Sequence, residues 1–370
     1  MTNEKNQQIL ERNQQILETI KKIEDKDFNI YFFVLDSKGN PIAELAYIYE
    51  HAKVLRDSGL NASIITEKND YTGVGEWLGE EYMNIPHTSI ESQNLKVGPQ
   101  DFLIIPEIFA NVMDQTKQFP CKRIVFSQSY DYILEILNLG AKWTDYGIKD
   151  CITTSEKQKQ YIKELFPLVN VEVIPIGIPD YFKPTDKLQK PIVALSCRDP
   201  RDTTKIVKSF YLKYPQYKWV TFRDMKGLPR TSFAQILSEA CLGVWVDPIA
   251  GFGTFPLEAM KSGVPVIGRV PHMTPEWMEQ PSTENNQDKM LKENGIWTYD
   301  TLRLPDLIAT FIRLWLEDNI PNDVYEKMKD TPMEYSMEKM NSSIVEYYNK
   351  QIAARLSELA STITSEQTNA

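Results

Sequence analysis

Cysteine and histidine are scarce in this chain, at four and three among 370 residues. Cys121, Cys151, Cys197 and Cys241 lie far apart and form no CxxC pair, which argues against a disulfide framework or a zinc knuckle and for reduced thiols. His51, His87 and His272 are too few and too scattered to build a zinc site. No apolar run approaches the roughly 18 residues of a membrane span. The N-terminus lacks a basic segment followed by an apolar core, so no signal peptide is read and a cytoplasmic location is expected. Positive charge is also short. Lys and Arg number 41 against 51 Asp and Glu, a net charge of −10, which excludes a protein whose whole surface seeks nucleic acid or anionic lipid. A local basic groove stays compatible with that total.

What is present is ordinary for a globular protein: 42% hydrophobic and 25% charged residues, over a length sufficient for two domains with substantial cores. Residues 3 to 24 repeat Asn-Gln-Gln-Ile-Leu-Glu seven residues apart, with Ile9, Ile16, Ile20 and Ile23 on one helical stripe. Two heptads are too few for a coiled coil. The stripe reads as a helix packed on its own domain, with a homodimer contact through residues 3–24 as the alternative.

From Asn29 strands alternate with helices. Strands are expected at Asn29–Leu35, Asn61–Thr66, Phe102–Ile105, Arg123–Phe126 and Val171–Ile174, and helices at Ile42–Ser58, Tyr130–Leu139 and Glu156–Phe166. Pro179, Pro184 and Pro191, with lysines between them, mark a linker. The alternation then restarts with strands at Ile192–Ser196, Tyr217–Phe222, Leu242–Val246, Val264–Ile267 and Gly295–Tyr299, and helices at Thr203–Tyr214, Ser232–Ala240 and Leu304–Glu317. Pro271 to Asn294 reads as a polar, mobile loop. Residues 335 to 355 read as a helix, with a frayed tail after Thr362. The expected fold class is α/β, two doubly wound parallel sheets with a ligand crevice at the carboxyl ends of the strands. The expected division is an N-terminal helix over 1–26, a first domain over 27–180, a linker over 181–191, a second domain over 192–335, and a C-terminal helix and tail over 336–370.

Within the second half, an apolar strand leads into Asp247-Pro-Ile-Ala-Gly-Phe-Gly-Thr-Phe-Pro-Leu-Glu-Ala-Met-Lys-Ser-Gly-Val-Pro-Val-Ile267. Gly251 and Gly253 allow a tight turn, Thr254 reads as the N-cap of a short helix with Pro256 in its first turn, and Gly263 reads as its stop. A glycine turn at a helix N-terminus offers backbone N–H groups to an anion, most often a phosphate. Pro256 stands where the dinucleotide fingerprint needs its third glycine, so that fingerprint is excluded. As a bare pattern the stretch fits a tight turn without ligand equally well.

Gly-Phe-Gly, three residues, Leu-Glu-Ala-Met, two residues and Gly-Val-Pro-Val-Ile resembles the signature of retaining nucleotide-sugar glycosyltransferases, in the large family usually numbered four, which has the two-domain GT-B fold with two facing Rossmann-like halves. The likeness runs from about residue 29 to 318. It implies that Gly251, Phe252, Gly253 and Thr254 lie against the donor's diphosphate and sugar, and that Glu258 grips the ribose hydroxyls. A second Glu that the family carries eight positions earlier is replaced by Ala250, so the sugar contact is less supported than the nucleotide grip. The resemblance also implies an Arg and a Lys on the diphosphate just after the first strand of the second half. Arg198 and Lys205 take those roles, with Arg201 a close competitor. Cations aimed there stabilise charge that develops on the leaving group, so neither a metal nor another cofactor is expected. Glu276 resembles a further donor-side Glu, and the Ser37–Asn40 turn, with Gly39, the loop facing the donor across the cleft. Gln128, after a strand end, takes a position near the acceptor and reacting carbon. It reads either as a hydrogen-bonding group there or as a helix cap.

His51 reads as packing or solvent-facing. The role of His87, in the segment 70–100 that shapes the acceptor pocket in relatives, stays open. Tyr146-Gly147 and Ile176–Pro179 read as structural. The implied activity is transfer of a sugar from a nucleotide-sugar to an acceptor hydroxyl, the acceptor being a glycan, a small molecule or modified DNA. For DNA, Lys53, Arg56, Lys122 and Arg123 are the available cations. A binding or scaffold protein with a degenerate sugar site is the non-enzymatic alternative. A nucleotide-sugar epimerase would need acid–base groups that the chain has in small number.

Overall fold

The computed structural model describes residues 28–71, 74–92, 95–186, 188–278 and 294–368. The repeat at 3–24, with its dimer alternative, and most of the polar stretch before Asn294 lie outside them.

The first half runs β1 (Asn29–Phe33), α1 (Ala43–Asp57), β2 (Asn61–Thr66), β3 (His87–Ser89), β4 (Phe102–Pro106), α2 (Ala110–Gln115), β5 (Lys122–Ser127), α3 (Tyr130–Ile136), β6 (Asp150–Thr153), α4 (Glu156–Leu165) and β7 (Asn170–Val173). Its strands form one parallel sheet in the order β3-β2-β1-β4-β5-β6-β7. Helices on both faces bury it twice over, which is why β4 is buried at every position. The period of two divides the strand side chains between two cores. Phe32, Ile64 and Ile104 meet α1 and the chain's last helix, while Phe33, Ile65 and Leu103 meet the opposite layer around Trp143.

The second half runs β8 (Lys190–Cys197), α5 (Pro200–Lys213), β9 (Thr221–Asp224), α6 (Arg230–Glu239), β10 (Ala240–Val246), α7 (Thr254–Lys261), β11 (Val266–Arg269), β12 (Ile296–Thr298) and α8 (Leu304–Leu316). This parallel sheet has the order β12-β11-β10-β8-β9. The two sheets are the two Rossmann-like halves expected from the alternation. Strand order reverses between β1 and β4 in the first and between β8 and β10 in the second. Those reversals are where doubly wound sheets open a crevice.

Three local expectations are corrected. Tyr217 does not begin a strand: Pro215–Tyr217 form a single 3-10 turn, Tyr217 stacks on Phe210 at 6.1 Å, and β9 starts at Thr221. The helix expected from Thr203 starts at Pro200, because Asp199 caps it through the Arg201 N–H and proline suits a first turn. Thr254 is the first helical residue of α7 rather than its cap. Gly253 holds the cap position at φ +75°, a conformation natural to glycine. Strands β3 and β6 were not expected, because His-Thr-Ser has no apolar residue and Asp-Cys-Ile-Thr only a pair.

After α9 (Asn322–Asp330), α10 (Met337–Thr368) leaves the second half and returns to the first. Tyr348 is buried against Phe32, and Lys350 pairs with Glu172 at 3.1 Å. Arg355 donates to the carbonyls of Pro99 and Pro120. Ile178, after the first sheet, bridges to Ser336, and a side chain at Gly177 would collide with the Met337 backbone.

Candidate functional site

The carboxyl ends of both sheets face each other across one cleft. A cavity of about 820 Å³ is walled by Val34 and Leu35 after β1, Pro106 and Glu107 at the end of β4, Ser196–Arg198 at the end of β8, and Asp247 after β10. The strand-order reversals of the two halves therefore meet at a single space. A second cavity of about 210 Å³ shares Pro41, Ile42, Ala43, Ser196 and Lys226 with the first and ends on Arg230, Thr254 and Glu258. On the side of the first half the larger space mixes apolar residues such as Leu35, Ile42 and Phe109 with Glu44, Glu107 and Glu135, and it carries Arg198, Lys226 and Asp247 on the other.

Arg198 is fixed from two sides. Its guanidinium lies 3.5 Å from Asp247 and donates to the hydroxyl of Tyr132, whose ring it also covers at 5.6 Å. Burial pushes the Asp247 carboxyl above the usual carboxylate range, and Arg198 pulls it back. Lys226 donates to the Arg198 carbonyl at 3.2 Å. Arg201 and Lys205 are placed differently from the expectation. Arg201 is 83% exposed and forked onto Asp199, Lys205 is 65% exposed and pairs with Asp202, and neither lines the cavities. Helix α5 turns both outward. Sequence position alone named three cations there, and the fold brings in only Arg198, adding Lys226 from the next crossover.

Glu258 sits on the buried face of α7, 6% exposed, with its carboxylate 3.8 Å from Arg230. Burial pushes this carboxyl up and Arg230 pulls it back. Arg230 donates to the Tyr181 hydroxyl at 3.1 Å. Thr254 lines the smaller cavity beside Glu258, whereas Gly251, Phe252 and Gly253 do not. Phe252 is an anchor: its ring meets Tyr335 edge-on, and its carbonyl accepts from the Trp277 indole at 2.7 Å. The two glycines serve close packing. A Cβ on Gly251 would run into the backbone carbonyl of Gln128, and one on Gly253 would stand 2.6 Å from the Trp245 ring.

Gln128 lines the larger cavity, but its side-chain amide is engaged, donating to the Glu44 carbonyl at 3.0 Å. The neighbouring Ser129 hydroxyl donates to Ile249 of the glycine loop at 3.0 Å and so joins the halves. Glu107 went unnoticed in the sequence. It accepts the N–H groups of Gln128 at 2.9 Å and Ser129 at 2.6 Å, and burial pushes its carboxyl up to about 8. A lone acid after a short apolar run gives no local signal. Only the fold reveals it as a floor of the cleft.

Gly39, at φ +75°, completes the turn that brings Pro41 and Ile42 to both cavities without lining them itself. Glu276 is exposed and lies by the start of α4, away from the cavities. His51 is buried against Phe126, and burial lowers its pKa to about 3. His87 accepts or donates a 2.7 Å hydrogen bond with Tyr49 and stacks on Tyr71, at the far edge of the first sheet. The cations considered for DNA do not form a groove. Arg123 is buried and donates to Met113 and Tyr146, Lys53 pairs with Asp57, Lys122 with Asp150, and Arg56 donates to Ala62. Among the described residues no helix is long and apolar enough to cross a membrane, and no cluster of His, Cys, Asp and Glu could hold a metal ion.

Two facing Rossmann-like halves with this cleft are the architecture of the GT-B glycosyltransferases. No family model matches the chain. It is 28% identical, over 249 residues, to an alpha-1,6-glucosyltransferase of Actinobacillus pleuropneumoniae serotype 7 (strain AP76), which covers 65% of this chain and 72% of that protein. Among solved structures it superposes on sucrose-phosphate synthase from Thermosynechococcus elongatus, with a TM-score of 0.61 at 13% identity over 88% of this chain and 99% of that one. It superposes equally, at 0.61 and 12% identity over 88% of this chain and 99% of that one, on S. aureus TarM in complex with fondaparinux, α-GlcNAc-glycerol and UDP. The structural likenesses show the fold, and with the curated relative they make this chain a glycosyltransferase-like enzyme.

Proposed function

We propose that the chain transfers a hexose from a nucleoside diphosphate sugar to an acceptor hydroxyl, with retention at the anomeric carbon and without a metal. The observation that supports this best is the meeting of Glu258, Thr254, Lys226 and Arg198 along one continuous cleft at both strand-order reversals. In this reading the smaller cavity takes the nucleoside, with Glu258 on the ribose hydroxyls, and the start of α7 offers its free N–H groups to the diphosphate. Arg198 and Lys226 face the leaving phosphate and stabilise its charge as the glycosidic bond breaks. The acceptor enters from the wall of the first half. Retention by front-face attack lets the departing phosphate oxygen take the acceptor's proton, so no histidine is needed as base. Gln128 and Glu107 shape the floor of the reaction space. A nucleotide and a sugar-bearing acceptor are also the kinds of ligand bound in the TarM structure, which holds UDP and α-GlcNAc-glycerol.

A thermal-shift screen against UDP, GDP, ADP, TDP and their sugar conjugates tests the reading. A ligand at ~100 times its Kd adds roughly 2.7 kcal/mol. A selective shift that vanishes in Glu258→Ala is expected, and no shift with any nucleotide would rule the donor site out. Proton NMR of the product gives the anomeric configuration. Turnover is expected to persist in EDTA, because the cations carry the charge a metal would supply. Loss of turnover that Mg²⁺ restores would refute metal independence.

A further inference from the structure

Arg230 is placed against local preference. It is the first residue of α6, following Pro229, and a cation at a helix N-terminus opposes the helix dipole. Its side chain is only 19% exposed and lies at the end of the smaller cavity, beside Glu258. A local rule broken by a buried charge marks a residue held for function rather than for the helix. Two partners hold it: the Tyr181 hydroxyl at 3.1 Å and the Glu258 carboxylate at 3.8 Å.

The second distance matters. At 3.8 Å the pair is a charge contact rather than a hydrogen bond. Such a partner keeps a buried carboxylate negative while leaving its oxygen lone pairs free for a ligand. A vicinal diol offers two O–H donors and needs an acceptor-only carboxylate, since a protonated carboxyl would itself be a donor at one oxygen. Without a cation beside it, a carboxylate this buried would take up a proton instead of staying charged.

We propose that Arg230 is the positioning residue of the donor site, fixing the orientation and the negative charge with which Glu258 grips the two ribose hydroxyls of a nucleotide. This rests on the donor-site reading of Glu258. Other ionisable groups face the pair from every side: Tyr47 and Glu50 on α1, Tyr82 beyond it, and Tyr181 before the second half. The tyrosines have their pKa values raised by burial, so they stay neutral through the neutral range. Glu50 is also pushed up by burial and is hydrogen-bonded by Tyr82, so its own titration belongs in the pH profile.

The test is titration calorimetry with the tightest-binding of UDP, GDP and ADP, and with its 2′-deoxy counterpart, between pH 5.5 and 9. The proteins are the wild type, Arg230→Gln, Arg230→Lys, Glu258→Gln and the Arg230→Gln/Glu258→Gln pair. The double variant removes both charges, so it folds without an unpaired buried ion. Arg230→Gln is expected to lose at least 10-fold in affinity at pH 7 and to bring the ratio of ribo- to deoxynucleotide affinity close to one. Its binding should recover as pH rises, when Glu258 loses its proton. Arg230→Lys should regain most of the ratio, and the double variant should bind no worse than Glu258→Gln. A ratio unchanged in Arg230→Gln, with affinity lost equally for the ribo- and the deoxynucleotide, would make Arg230 a phosphate ligand and overturn the inference. A wild-type chain that binds none of the three nucleotides would overturn both this inference and the donor-site reading. Wild-type binding with no effect of Arg230 would overturn this inference alone.

Discussion

Glu107 carries a carboxyl that burial pushes to about 8, so the folded chain holds its proton more tightly than the unfolded chain does. The sign follows from linkage: its contribution to stability is full below the unfolded pKa, near 4.5, and is lost as pH rises towards about 8. Glu107→Gln keeps an oxygen for the Gln128 and Ser129 N–H groups but has no proton to lose. Its melting temperature is expected to match the wild type near pH 5 and to exceed it at pH 8.5. Equal melting curves at both values would show that the carboxyl stays ionised in the fold. Residues of this kind mark the limit of what the sequence discloses. Glu258 and Arg198, which line the cavities, could be named because the resembled signature sets them at fixed offsets from a glycine turn and a strand end. Glu107, Lys226 and Arg230 could not, because what makes them cleft residues is the approach of separate crossovers, over distances in sequence that no motif spans. Arg201 and Lys205 lie in the expected segment but on the outward face of α5.

The elements were more legible than the residues. Long apolar strands such as β1, β4 and β10 declare themselves by composition, since burial on both faces leaves no room for polar side chains. Strand β6 is hidden because Asp150 and Thr153 leave only Cys151 and Ile152 as apolar residues, and its pairing with β5 decides its conformation. The glycine turn before α7 was legible as a turn, but its tie to the other half was not. Gly251 lies where any side chain would strike the Gln128 carbonyl. Gly251→Val is therefore expected to push the loop off the first half and break the Ser129–Ile249 hydrogen bond, costing about 1–3 kcal/mol as an overpacked contact. Urea denaturation measures the loss. An unchanged midpoint would mean that the two halves are not held together at this turn.

Across the whole molecule, two buried groups pull the pH profile of stability in opposite directions. His51, with its pKa lowered to about 3 by burial, contributes stability that is full above its unfolded pKa near 6.5 and is lost as pH falls. Glu107 acts in the reverse sense, so the two slopes offset each other between about pH 4.5 and 6.5, and the pair's contribution falls away on either side. His51→Leu removes the acid-sensitive term: from pH 6.5 down to 4.5 its melting temperature should rise relative to that of the wild type, and parallel curves would show that His51 is not the acid-sensitive group. The helix that closes the chain binds these halves in another way. About 175 residues separate Val173, at the end of the first sheet, from Tyr348, which completes the core behind Phe32. A ribosome adding about 5–20 residues per second needs roughly 10–35 s for that distance. Throughout that interval the first sheet waits with part of one apolar face uncovered, so the nascent chain, rather than the folded protein, is the form most exposed to chaperones and to aggregation.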